Sequence, residues 1–223
     1  MSSAPQGSSR APWVKPRLRG VSHQWAFLAA LVAGVALVVN APSRRALAAA
    51  AIYAVALVGM FGASALYHRI DWRPRVSLWM RRLDHSMIFV MIAGTYTPIT
   101  LLLLDGSFSR LVLGVLWGGA ILGLVLKLVW IGAPSCLAAL IYVALGWIGM
   151  ATLPQLVRAG GVVSATLLAT GGVLYTVGAV VYARRRPDPK PAVFGYHEVF
   201  HVLVIAAAAV HFVAVAFFVV PRG

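Results

Sequence analysis

HEVFHVLVIAAAAVHFVAVAFFVV, residues 197–220, decides the fold. Glu198 is its single carboxylate, and no lysine or arginine interrupts it. As a helix, 24 residues rise about 36 Å at ~1.5 Å each. The hydrocarbon core of a bilayer is about 30 Å thick, so this run is long and apolar enough to span it. Six more runs stand upstream, at 25–39, 46–67, 86–104, 111–126, 137–153 and 162–183. The first and fourth are short, and flanking residues such as Lys127 can reach the interface to complete them. The runs are continuous rather than alternating, which excludes a transmembrane barrel. The expected fold is all-α, a seven-transmembrane helix bundle.

Composition agrees. Hydrophobic residues make up 61% of the 223, against about 45–50% in soluble domains, and mean hydropathy is +0.88. The 19 Lys and Arg against 5 Asp and Glu would suggest nucleic acid in a soluble protein. Here they fall between apolar runs and no nucleic-acid module is present. They are read as topology signals, with membrane lipids and anionic headgroups at the inner face as partners. Placing the N-terminus inside puts 14 of the 19 on the inner side, so the expected orientation is N-terminus inside and C-terminus outside. Residues 1–20 read as a disordered basic tail and 21–223 as the membrane domain. Val39-Asn40-Ala41 resembles a signal-peptide cleavage site, but the basic lead before the first run is 24 residues long. Gly114/Gly118 and Gly119/Gly123 have the spacing of close helix packing. Cys136 is the lone cysteine and forms no internal bridge.

Ionisable groups at membrane depth cost about 2.5–3.5 kcal/mol each, so each needs a reason. His197 and His201 are four apart and share one helix face. His68 ends the second run, Asp84 opens the third, and the histidine pair opens the seventh. All four therefore lie at one level near the inner face. Three neutral imidazoles with one open position make a catalytic-type zinc site. Asp84 is the candidate general base, and Ser64, one turn before His68, stands beside it. The competing reading has the histidines satisfied among the headgroups. A haem held by paired histidines is another. His211 rises about 15 Å above His201 and is expected to make a core hydrogen bond. His85 points away from Asp84, and His23 falls in the polar lead. His197-Glu198-Val199-Phe200-His201 also reads as the H-E-x-x-H of zinc proteases, with Glu198 as base. Asp105, the partner that Leu104-Asp105-Gly106 would supply, lies at the opposite membrane face. Retinal is excluded because the seventh run has no lysine for a Schiff base.

Four segments together resemble the haemolysin III proteins, the bacterial branch of the progestin and adipoQ receptor superfamily. They are Ser64-Ala65-Leu66-Tyr67-His68, Arg82-Leu83-Asp84-His85-Ser86-Met87-Ile88-Phe89, Gly94-Thr95-Tyr96-Thr97-Pro98 and His197-Glu198-Val199-Phe200-His201. The resemblance implies seven helices, N-terminus inside, in the bacterial plasma membrane. It implies zinc held by His68, His197 and His201 on the cytoplasmic side, with Asp84 and Ser64 beside the metal's water. It also implies a role in membrane homeostasis. Ceramidase-like members of the superfamily suggest hydrolysis of a lipid amide or ester. Receptor-like members and the haemolysin name suggest a non-enzymatic sensor or cytolytic protein with structural zinc.

Overall fold

The computed structural model describes residues 15–223, so residues 1–14 of the expected tail lie outside the described residues. Among the described residues there are seven α-helices and no β-strand. They are α1 (Val21–Val39), α2 (Arg44–Arg69), α3 (Pro74–Leu103), α4 (Gly106–Val129), α5 (Ser135–Gly149), α6 (Leu153–Arg184) and α7 (Tyr196–Ala214). Six stretches are long and apolar enough to cross a membrane; one of them, Cys136–Arg184, is 49 residues long and carries both α5 and α6. The outer surface is apolar, as lipid requires: Val32, Val55, Leu122 and Phe217 are each more than two-thirds exposed. In water such a surface would be an aggregation site. The chain is a multi-pass membrane protein.

Local chemistry sets the boundaries. Ser43 caps α2, its hydroxyl accepting from the Ala46 N–H at 3.1 Å, which satisfies one of the first free donors. Pro74 starts α3, where its missing N–H costs nothing. Every helix begins earlier than its apolar run, by four residues or more in α1 at residue 21, α3 at 74, α4 at 106 and α6 at 153. Hydropathy falls where lipid ends, but the backbone ladder continues through polar residues because its bonds are internal. A three-residue 3₁₀ turn, Met150–Thr152, leads from α5 into α6. The reversal comes later, at Gly161, whose φ of 85° favours glycine. Trp147 on one side donates to Thr176 on the other at 3.1 Å, and the two are nearly equidistant from Gly161.

Successive helices run antiparallel. Ser109 and Trp117 of α4 bond Thr100 and Thr97 of α3, while at the other end Arg81 bonds Ile131. Small residues let α2 sit against both neighbours. A Cβ on Gly34 of α1 would lie 3.1 Å from Ala54, and one on Gly94 of α3 would lie 2.5 Å from Ala56. Of the glycine pairs in α4, Gly119 and Gly123 face Leu145 and Phe89, but Gly114 and Gly118 meet nothing. The expected packing spacing is therefore used by one pair only. Odd-numbered helices all begin at one end of the bundle, near His68, and Gly223 lies at the other, against Leu102.

Candidate metal centre

His68 closes α2, and His197 and His201 occupy the first two turns of α7. One ring nitrogen from each lies within 4.8 Å of the other two. His68 Nε2 and His197 Nε2 are 3.1 Å apart. Two zinc–nitrogen bonds of about 2.0–2.1 Å at a tetrahedral angle set their nitrogens about 3.3 Å apart, so this edge fits. His201 Nδ1 is buried and has no hydrogen-bond partner among the described residues, a state that a ligand would relieve. The donor set suits a borderline-soft divalent ion. The residues therefore fit a metal ion.

Asp84 lies within α3, not at its opening as the hydropathy suggests, because that helix starts ten residues earlier. Its Oδ2 is 3.8 Å from His68 Nε2. Ser64, one turn before His68, is buried, and its hydroxyl bonds His23 Nδ1 at 2.7 Å.

His23 corrects the sequence reading. It lies inside α1 rather than in a polar lead, and it is 3% exposed. Its ring stacks on that of His201, with centroids 3.7 Å apart and planes 11° from parallel. A helix beginning at 21 instead of 25 carries it into the layer of the other histidines. The residues before α1 hold it there. Arg17 and Leu18 donate to the carbonyls of Ala192 and Val193, each at 3.1 Å. Lys15 pairs with Asp71 at 3.0 Å. Gly20 has a φ of 78°, and a Cβ on it would meet the Cβ of His68 at 2.5 Å, so no other residue fits. The tail expected over 1–20 is thus tied to the bundle from residue 15 onward.

The remaining groups fall elsewhere. His85 Nδ1 bonds the Arg81 carbonyl at 2.7 Å, yet the residue also borders the site's two cavities, which its neighbour position did not suggest. His211 bonds the Leu168 carbonyl at 3.0 Å, the core bond its position predicts. Glu198 points away from the histidines. It pairs with Arg19 and accepts from the Gly195 N–H at 2.8 Å, capping α7. It is spent on structure, which adds a second reason against the protease reading. Asp105 occupies the position just before α4, at the far end of the bundle, and its side chain makes no capping bond.

Two cavities meet at the centre. One, about 120 Å³, is mostly apolar and runs from His201 between α3, α5, α6 and α7 to His211. The other, about 620 Å³, is polar and lies at the histidine end. Asp84, His85, Tyr182 and His197 border both.

Residues 11–212 match the model of a family described as Haemolysin-III related. The chain is 29% identical over 206 residues to Hemolysin-3 of Bacillus cereus, covering 91% of each protein. It is 29% identical over 169 residues to the Hemolysin-3 homolog of Bacillus subtilis, 76% of each. It is 32% identical over 156 residues to Heptahelical transmembrane protein 5 of Arabidopsis thaliana, 62% of this chain and 41% of that one. The chain belongs to the Haemolysin-III related family.

Proposed function

We propose that this member of the family is a zinc-dependent hydrolase of a lipid amide or ester, with seven spans and its N-terminus in the cytoplasm of a bacterium. The charge count supports the orientation: among the described residues, 13 of the 18 Lys and Arg fall on the histidine side, which the positive-inside rule assigns to the cytoplasm. The bacterial plasma membrane is part of the same proposal.

One observation carries the reading. The histidine cluster sits where an apolar cavity meets a polar one, as the cleavable carbonyl of a lipid sits between its chain and its headgroup. Bound zinc would supply Lewis acidity and lower the pKa of a water to about 7. The protein's own groups do the rest. The apolar cavity takes the acyl chain and sets the carbonyl beside His197 and His201. Asp84, whose side chain is 15% exposed and borders the polar cavity, takes a proton as water adds to the carbonyl carbon. The carbon–nitrogen or carbon–oxygen bond then breaks, and that proton leaves with the amine or alcohol. Ser64 and His23 fix the ring plane of His201 from behind.

Elemental analysis of the detergent-purified protein, beside a His197→Ala/His201→Ala double variant and Asp84→Asn, tests the reading on a panel of N-acyl and O-acyl lipids. The expected result is about one zinc per chain, lost in the double variant with helical content kept. Turnover should vanish in both variants while Asp84→Asn keeps its metal. Absence of zinc overturns the reading. Zinc without turnover on any lipid favours a non-enzymatic sensor, receptor-like or cytolytic protein with a structural ion.

A further inference from the structure

Lys127 stands in the last turn of α4 and is 2% exposed. It borders the polar cavity and has no hydrogen bond or ion pair among the described residues. A lysine this little exposed and without an ionic partner keeps its charge cheaply only where water or an anion reaches it through the cavity it borders. The C-terminal dipole of α4 favours a positive charge there but supplies no bond; the cap of this helix is the Trp130 N–H on the Leu126 carbonyl.

Four more cations border the same cavity, and two of them, Lys15 and Arg19, are paired with Asp71 and Glu198. Arg81 spends one N–H on the Ile131 carbonyl at 3.1 Å and keeps the rest of its fork. Arg185 ends α6. Neither has a carboxylate. Asp71 is taken by Lys15 and Glu198 by Arg19, and Asp84 faces His68. Five cations and two carboxylates, Asp71 and Asp84, thus line the cavity, and its surplus of positive charge makes an anion its natural occupant. Arg185 is exposed at the rim, whereas Lys127 is 2% exposed and borders the cavity, which sets it apart from an ordinary surface contact to headgroups.

We infer that this cavity binds a phosphate-type oxyanion through Lys127, Arg81 and Arg185. Resting on the hydrolase reading, the occupant is the headgroup phosphate of the same lipid whose chain enters the apolar cavity. The substrate class is then an anionic phospholipid and not a neutral one.

The test uses the full-length, zinc-loaded protein in a neutral maltoside detergent. Isothermal titration measures binding of lysophosphatidic acid, of the monoacylglycerol with the same chain, and of inorganic phosphate. Lysophosphatidic acid should bind at least about tenfold tighter than monoacylglycerol. Lys127→Met and Arg185→Gln should each weaken it about tenfold and leave monoacylglycerol unchanged. Arg185 is exposed, so its variant keeps the fold even where the buried change does not. Lysophosphatidic acid tighter than both other probes identifies a lipid headgroup. Phosphate as tight as lysophosphatidic acid, and equally sensitive to the two variants, identifies free phosphate and removes the lipid half of the inference. Equal binding of the charged and neutral lipids, or wild-type affinity in both variants, overturns it. His201 does not border this cavity, so His201→Ala should abolish turnover and keep the charge preference. The preference without wild-type turnover overturns the hydrolase reading alone. Turnover without the preference overturns this inference alone.

Discussion

Glu198 separates two readings of one motif. As the glutamate of an H-E-x-x-H it would move protons, and its loss would stop turnover without loosening the fold. The structure instead gives it two structural partners, Arg19 and the Gly195 N–H. The side chains of Arg19 and Glu198 are 12% and 2% exposed. Removing one member of a buried pair costs about 3–5 kcal/mol. Arg19 keeps some water, so the lower end applies, and losing the cap contributes about 1 kcal/mol more. Glu198→Ala should therefore cost about 4 kcal/mol. At about 2–4 °C per kcal/mol for a chain of this size, Tm falls by roughly 8–16 °C. Glu198→Gln keeps an acceptor for Gly195 and should lose about half as much. Arg19→Met combined with Glu198→Leu leaves no orphaned charge and should recover part of the loss. The assay is thermal unfolding in detergent, followed by circular dichroism, with zinc content measured on each variant. Zinc should remain. A Tm within about 2 °C of wild type, or zinc lost from a fully stable Glu198→Ala protein, would refute the assignment and return Glu198 to the site.

Three other outcomes follow from the packing. Gly123→Ala drives a methyl into the Phe89 ring and should cost about 1–3 kcal/mol, whereas Gly118→Ala meets nothing and should be neutral or stabilising by up to about 1 kcal/mol; thermal unfolding compares the two. His211→Leu loses its bond to Leu168 and should cost about 1 kcal/mol with zinc content unchanged by elemental analysis. His23→Ala removes the plate under His201 and should weaken zinc affinity about 10-fold to 100-fold in a chelator competition. His23→Phe keeps the stack and should lose less.

Much of this was legible because membrane helices advertise themselves. All seven apolar runs correspond to helices, and His197 and His201 share a face by spacing alone. Helix ends were less legible. The runs at 25–39, 86–104 and 111–126 end where lipid ends, while the helices continue for reasons internal to the backbone. That shift of a few residues decided the fate of His23, which belongs to the centre and not to the lead. The packing of Gly119 and Gly123, and not of Gly114 and Gly118, depends on how α4 is rotated about its axis, which a period of four does not contain. Lys127 at the end of an apolar run reads as a side chain reaching for the headgroups; only its burial shows that it faces inward.

The clustering itself follows from the cost of polar groups in lipid. His23, Ser64, His68, Asp84, His197 and His201 come from α1, α2, α3 and α7, and the first and last are 178 residues apart in sequence. Placed singly against acyl chains, each would carry an insertion penalty with nothing to offset it. Because odd helices start at one end and α2 finishes there, an up-and-down chain brings all six into one layer. There they can satisfy one another, as His23 does Ser64. The pairings remain incomplete: His23 Nε2 and His201 Nδ1 have no partner among the described residues. A layer built only for stability would have closed those bonds or used apolar residues instead. The unsatisfied nitrogens, gathered where an apolar cavity meets a basic one, are what a bound ion and an amphipathic ligand would complete.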